Sequence, residues 1–176
     1  MIPVGIACII FAFLYTAGPY PLAYHGWGDV LVLVFFGFVP VGCTYYVMAH
    51  DWNTSVTIAS IACGLVIDTL LMVNNFRDRE QDAVSGKRTI VVRLGAKAGI
   101  IMYFLLGLAA CWLCFYFIMI GKIYAVLLPQ IYLIMHILTT IKMAKINRGK
   151  ALNGILGETS RNMLIFGILL TLGLIL

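Results

Sequence analysis

The feature that most constrains this chain is a series of apolar runs longer than a small soluble core can use. Six can be marked: Ile2–Ala17, Val30–Ala49, Val56–Val73, Gly99–Ile120, Ile123–Ile141 and Glu158–Leu176. A helix rises about 1.5 Å per residue, so runs of this length cover most or all of a ~30 Å hydrocarbon core. Pro40, Pro129 and the internal glycines are tolerable there, because neighbouring helices can satisfy backbone groups that a break sets free. No short repeat or low-complexity linker interrupts the pattern. The runs predict an all-α fold, a polytopic transmembrane helical bundle of about six helices forming a single membrane domain over residues 1–176.

Composition agrees. The chain is 62% hydrophobic and 11% charged with a mean hydropathy of +1.02, far from the soluble average of roughly half apolar and a quarter charged. A formal charge of +5 would suggest nucleic acid in a soluble protein. Here the basic residues sit in two short segments beside apolar runs, so membrane lipid is the expected partner and nucleic acid is not. Cys8, Cys43, Cys63, Cys111 and Cys114 all fall within apolar runs. The "CWLC" of Cys111–Cys114 lacks the βαβ setting of a redox motif and the further ligands of a zinc site, and reads as helix packing.

The charged segments set a direction. Arg77, Arg79, Lys87, Arg88, Arg93 and Lys97 lie between the third and fourth runs. Lys142, Lys145, Arg148, Lys150 and Arg161 lie between the fifth run and the start of the sixth. Only Lys122 falls on the other side, a split of eleven to one. The positive-inside rule then makes both segments cytoplasmic and puts Met1 outside, in a multi-pass chain of the cell (inner) membrane. A first run without basic flanks or a leader signal, starting outside, reads as the rear part of something longer.

The third run ends in "NNFRDREQD", residues 74–82. Asn74, Asp78 and Asp82 recur every four residues, so on a helix each is turned only about 40° from the last. Two carboxylates and an amide at headgroup depth make a hard-oxygen surface of the kind that takes Mg²⁺ together with water and substrate phosphate. Lys87 and Arg88 follow in "SGKRT", a point charge and a fork for phosphate. Together they point to metal-bridged diphosphate. The bland reading is a solvated helix end whose Arg77, Asp78, Arg79, Glu80 and Asp82 pair with one another for little gain, and spacing alone leaves the two even.

The longer string "VNNFRDREQDAVSGKRTIVVRLG" (Val73–Gly95) resembles the second aspartate-rich motif of the UbiA superfamily of intramembrane aromatic prenyltransferases. Its paired asparagines and "GKRT" are similar to the branch that prenylates 1,4-dihydroxy-2-naphthoate in menaquinone synthesis. "YTAGPYPLAYHGWGDVLVLVFFG" (Tyr15–Gly37) and "LNGILGETSRNMLIFGILLTLGLIL" (Leu152–Leu176) extend the likeness over nearly the whole chain. The resemblance implies helices four to nine of a nine-helix ring around a lipid-open cavity, with residues 74–97 as a cytoplasmic motif and cap loop. It implies an enzyme that moves a polyprenyl group from polyprenyl diphosphate to the naphthoate, with loss of diphosphate and CO2. It further implies Mg²⁺ as cofactor on Asn74, Asp78 and Asp82, also the catalytic residues, with Asn75, Arg77, Lys87, Arg88, Asp68 and Arg161 at the substrates. The first aspartate-rich motif of that family is missing here: before Asp68 the acids are Asp29 and Asp51, neither in an N-D-x-x-D setting. The chain on its own would thus hold half a metal site. Another quinone or porphyrin prenyltransferase of the superfamily remains the nearest alternative, and a transporter half binding a coupling cation the more distant one.

Other polar residues carry weaker expectations. Asp68, inside the third run, either orients the aromatic substrate or bonds a neighbouring helix. His136 is expected to pack or to bond between helices. His25 lies in the loop near the cavity mouth, and His50, Asp51 and Trp52 serve as an anchor on the far side. Arg161 at the opening of the last run snorkels to headgroups or reaches the diphosphate.

Overall fold

A computed structural model describes all 176 residues, as helices joined by turns with no strand. They are α1 (Ile2–Thr16), α2 (Gly28–Ala49), α3 (Thr54–Val84), the short α4 (Ile90–Leu94), α5 (Ala96–Ile120), α6 (Tyr124–Ile146) and α7 (Leu152–Ile175). Five of them, α2, α3, α5, α6 and α7, are long and apolar enough to cross a membrane. At 15 residues α1 is apolar but shorter, so five of the six expected spans are matched in full. The chain is a multi-pass membrane protein.

Two boundaries differ instructively from the hydropathy pattern. The third apolar run ends at Val73, yet α3 continues to Val84. The sixth run was bounded by Glu158, yet α7 begins at Leu152, so Arg161 lies well inside a helix rather than opening one. Hydropathy reports where lipid contact stops, whereas a helix stops where its backbone bonds find other partners. In α7 the Glu158 carboxylate accepts from Lys142 Nζ at 2.8 Å and Thr139 Oγ1 at 3.3 Å, which makes a charge tolerable there. In α3 the N-terminus is capped by Asn53, whose Oδ1 accepts from the Val56 amide at 3.1 Å. Its far end closes at Gly86 (φ +79°), where the Lys87 amide reaches back to the Asp82 carbonyl at 2.9 Å.

Helix α3 is the axis of the bundle, in contact with α2, α4, α5 and α7. Around its middle lie Ala62, Val66, Cys111, Cys114, Phe117, Tyr132 and Phe166, so both "CWLC" cysteines are buried core residues. Near its polar end a second core gathers Met72, Val73, Phe76, Tyr103, Leu152 and Ile155. The outer surface stays greasy, with Ile101, Ile134 and Leu164 more than half exposed, as lipid-facing side chains should be. His136 is buried between helices: its Nε2 donates to the Tyr103 carbonyl at 3.0 Å and its ring stacks on Tyr103 and Tyr132. Gly107 leaves the space that the ring fills.

Close approach holds α2 on α3. Over Leu33–Cys43 helix α2 is wound in wide π-type turns that include Pro40. At that stretch a Cβ on Gly37 would stand 2.6 Å from the Ser60 carbonyl oxygen and 3.0 Å from the Gly64 Cα. Both obstacles are backbone, so neither helix can yield locally; small residues let membrane helices approach this closely. Gly37→Val should therefore destabilise the protein by about 1–3 kcal/mol, seen as a lower Tm in detergent. Gly5→Val, where nothing lies within 4 Å, is the control and should leave Tm unchanged.

Candidate functional site

The polar end of α3 is fixed by what it buries. Phe76 is fully buried, with its ring against Gly99 of α5. The Arg79 guanidinium lies 4.5 Å over that ring and donates to the Phe76 carbonyl at 2.7 Å, roofing the apolar contact with a charge. Anchored in this way, the helix presents its polar side chains in two groups.

The first group centres on Arg77. Its Nε and Nη2 donate to the two oxygens of Asp78 at 2.7 and 2.6 Å. Nη2 also donates to Asn74 Oδ1 at 2.7 Å, and Nη1 to Asn153 Oδ1 on the first turn of α7 at 3.1 Å. The second group is a clasp. Lys87 Nζ stands 3.2 Å from Asp82 Oδ1 and 5.7 Å from the centre of the Tyr24 ring, while the Arg88 amide donates to the Tyr24 carbonyl at 2.8 Å. Gly26 lets the two loops touch: it has φ +81°, and a Cβ there would stand 2.8 Å from the Arg88 carbonyl oxygen.

The single stripe expected of Asn74, Asp78 and Asp82 is thus divided. Two steps of about 40° put Asp82 some 80° from Asn74, enough for different partners. Asn74 is exposed and Asp78 partly so, whereas Asp82 is buried. Asp82 shares its face more closely with Asn75 and Asp68, seven residues apart and all buried. Asn75 does not join Asn74. It lines a cleft with Tyr15, Asp29, Lys87 and Thr89. Asp68 is buried at 4% exposure with Oδ1 unpaired. The Arg88 and Arg161 side chains are exposed and in no ion pair, and Arg161 touches neither group. His25 is occupied locally, bonded to the Pro21 carbonyl at 2.9 Å and stacked on Tyr20. Trp52, at the opposite end of the bundle, donates to Thr57 Oγ1 at 2.9 Å.

Three contributors are not marked by any charge or polar spacing in the sequence. Asp29, in the first turn of α2, has a buried Oδ1 without a partner. Tyr24 supplies a ring and a carbonyl to the clasp. Asn153 joins the Arg77 group across 76 positions of chain. Local spacing carries no signal for a pair so distant, although Asp29, Tyr24 and Asn153 all lie in the strings that carried the family likeness.

The donors suit a hard cation in part. Asp78 and Asp82 stand one helical turn apart and Asn74 adds a neutral oxygen, whereas no cluster of three His, Cys, Asp or Glu side chains occurs. Such a set fits Mg²⁺ that keeps waters and is completed by phosphate oxygens, and does not form a closed protein cage. Arg77 and Lys87 already hold these carboxylates, and both are natural phosphate partners.

Residues 1–154 match the model of the UbiA prenyltransferase family. The chain is 46% identical over 113 residues to a 1,4-dihydroxy-2-naphthoate octaprenyltransferase of Haemophilus influenzae, covering 63% of this chain and 37% of that protein. To the Escherichia coli protein of the same name it is 44% identical over 91 residues, 52% of this chain and 30% of that one. A UbiA prenyltransferase domain-containing protein 1 of Dictyostelium discoideum is 31% identical over all 176 residues and is matched over 52% of its length. The chain thus spans between about a third and a half of the length of these relatives. No solved structure matches it. With its helical membrane bundle and its aspartate-bearing helix end, the chain belongs to the UbiA prenyltransferase family.

Proposed function

We propose that this chain supplies one half of the Mg²⁺–diphosphate site of an intramembrane prenyltransferase, acting on polyprenyl diphosphate and 1,4-dihydroxy-2-naphthoate. The products are demethylmenaquinone, diphosphate and CO2, so the reaction belongs to menaquinone biosynthesis. The names of the bacterial relatives support the substrates. One observation carries the site: the most buried helix of the bundle runs past its apolar portion and ends in Asn74, Asp78 and Asp82, each within a turn or so of Arg77 or Lys87. A carrier of a coupling cation would need no such pairing of acids with phosphate-binding bases. The family match likewise favours the enzyme over a transporter half.

Each residue has a task. Asn74, Asp78 and Asp82 hold the cation, and Arg77 and Lys87 take the non-bridging oxygens of the diphosphate. Arg88, exposed beside Lys87, adds to the positive field. When bound, Mg²⁺ neutralises the charge that builds on diphosphate as it leaves. Asn75, in the cleft with Tyr15, Asp29, Lys87 and Thr89, and Asp68, buried two turns below it on the same face of α3, orient the acceptor. The apolar bundle around them keeps water from the allylic cation. Residues 74–97 form the cytoplasmic motif and cap of the inner-membrane protein. The basic residues at this end of the helices support that orientation. Arg161, some 13 Å along α7 from its start, is better placed to snorkel to headgroups than to reach the diphosphate.

Asp78→Ala or Asp82→Ala in the full-length protein should lower prenyl transfer more than 100-fold with membrane insertion intact. The loss of a direct metal ligand costs more than the roughly 10–100-fold typical of the groups that merely orient one. Near-normal turnover of either variant at saturating Mg²⁺ would remove these carboxylates from the site. Lys87→Ala should raise the apparent KM for the donor about tenfold and leave that for the acceptor nearly unchanged, since a hydrogen bond to a charged group is worth about 1.5–3 kcal/mol. A shift confined to the acceptor's KM would assign Lys87 to the other substrate.

A further inference from the structure

Arg77 has five N–H groups, and its partners fall into two chemical kinds. Asp78 takes two of them and Asn74 a third, and these are the oxygens placed on the cation above. The remaining bond runs from Nη1 to Asn153 Oδ1, 3.1 Å away. Asn153 lies on another helix and is not among the oxygens placed on the cation. Its own position is well fixed, because Leu152 beside it is fully buried and Ile155 nearly so, both in the core that contains Met72 and Phe76. The first turn of α7 is therefore docked on the polar end of α3 by apolar burial, and it offers a neutral carbonyl oxygen to the guanidinium.

From this geometry we infer that Asn153 is a positioning residue, the anchor that keeps Arg77 at the diphosphate when a divalent cation draws Asn74 and Asp78 away from it. The inference rests on the diphosphate site proposed above. A cation on the oxygens of Asn74 and Asp78 competes with the guanidinium for the same lone pairs. Three of the five N–H groups then lose their acceptors together. A freed arginine side chain regains its rotamer entropy, which its ligand would have to offset on binding. The Nη1 bond to Asn153 survives the exchange and confines the fork, so the three freed N–H groups face incoming phosphate oxygens instead of water. Asn153 is suited to this because its amide is uncharged. A carboxylate at the same place would neutralise Arg77 and turn it from the anion.

The test is binding of inorganic diphosphate, in the presence of Mg²⁺, to the full-length protein in detergent, with Asn153→Ala, Arg77→Ala and the double variant. Asn153→Ala should weaken diphosphate binding about 3- to 10-fold, the range for one net hydrogen bond. Arg77→Ala should weaken it more, and adding Asn153→Ala to Arg77→Ala should change nothing further, because Asn153 acts through the guanidinium. Asn153→Asp, which retains the oxygen but adds charge, should weaken diphosphate at least as much as alanine does. Unliganded Tm should hold in the single Asn153 variants, as Asn153 is exposed and needs no burial of its amide. Wild-type affinity in Asn153→Ala, or an equal loss with and without Arg77, would overturn the anchor and leave the diphosphate site standing. If the wild-type protein bound no diphosphate with Mg²⁺, the proposed site would fail, and the anchor with it.

Discussion

The whole arrangement depends on one helix that does not end where its lipid contacts end. In hydrocarbon a backbone amide or carbonyl without a partner costs several kcal/mol, so a segment that enters the bilayer stays helical until it is out of it. Helix α3 goes further, adding three turns beyond Val73 before Gly86 closes it. Those turns carry the polar groups on a rod whose lower part is clamped by α2, α5 and α7. A loop in the same place would let each carboxylate wander. On the helix, their spacing is set by the same hydrogen bonds that carry the chain through the membrane.

How tightly the rod is held shows in its small residues. Gly37 and Gly64 bring α2 and α3 to backbone contact, and Gly99 lets the ring of Phe76 lie against α5. Phe76 sits within the motif itself, among Asn75, Arg77 and Asp78. Its burial turns Asn74 and Asp78, each about 160° away around the helix, outward, as the helical period requires once one position is fixed. Packing thus decides electrostatics here. With Phe76 inward, Asn74 and Asp78 face the Arg77 fork and Asp82 faces Lys87.

Much of this was legible in the sequence. The apolar runs marked all five long helices, those of α2, α5 and α6 to within about five residues at either end, and the spacing of Asn74, Asp78 and Asp82 marked the polar helix end. The longer strings carried the family. What could not be read has a physical cause in each case. Charged residues hid the true extent of α3 and α7, since hydropathy cannot tell a paired Glu158 from a solvated one. The division of the stripe follows from a few tens of degrees of rotation that four-residue spacing does not resolve. Tyr24 and Asn153 entered only as parts of those strings, because their contacts with Lys87 and Arg77 cross long stretches of chain for which no local pattern exists.

The charges at this end show why neutral partners matter. Residues 74–89 hold Arg77, Arg79, Lys87 and Arg88 against Asp78, Glu80 and Asp82, four positive to three negative. A surface so nearly balanced attracts neither a cation nor an anion strongly, and a bound cation would shift it well toward attracting phosphate. For the proposed diphosphate site to work, the acids must therefore be released by their bases without the bases drifting away. Tyr24 and Asn153 meet that requirement in the two groups. The ring faces Lys87 and the amide oxygen faces Arg77, each attractive to a cation yet carrying no net charge that would repel the diphosphate. A fourth and a fifth carboxylate in their places would hold the bases more firmly and turn the segment's single net positive charge into a net negative one before any cation binds. In the proposed site, weak partners would allow the same arginine and lysine to serve the carboxylates first and the phosphate afterwards.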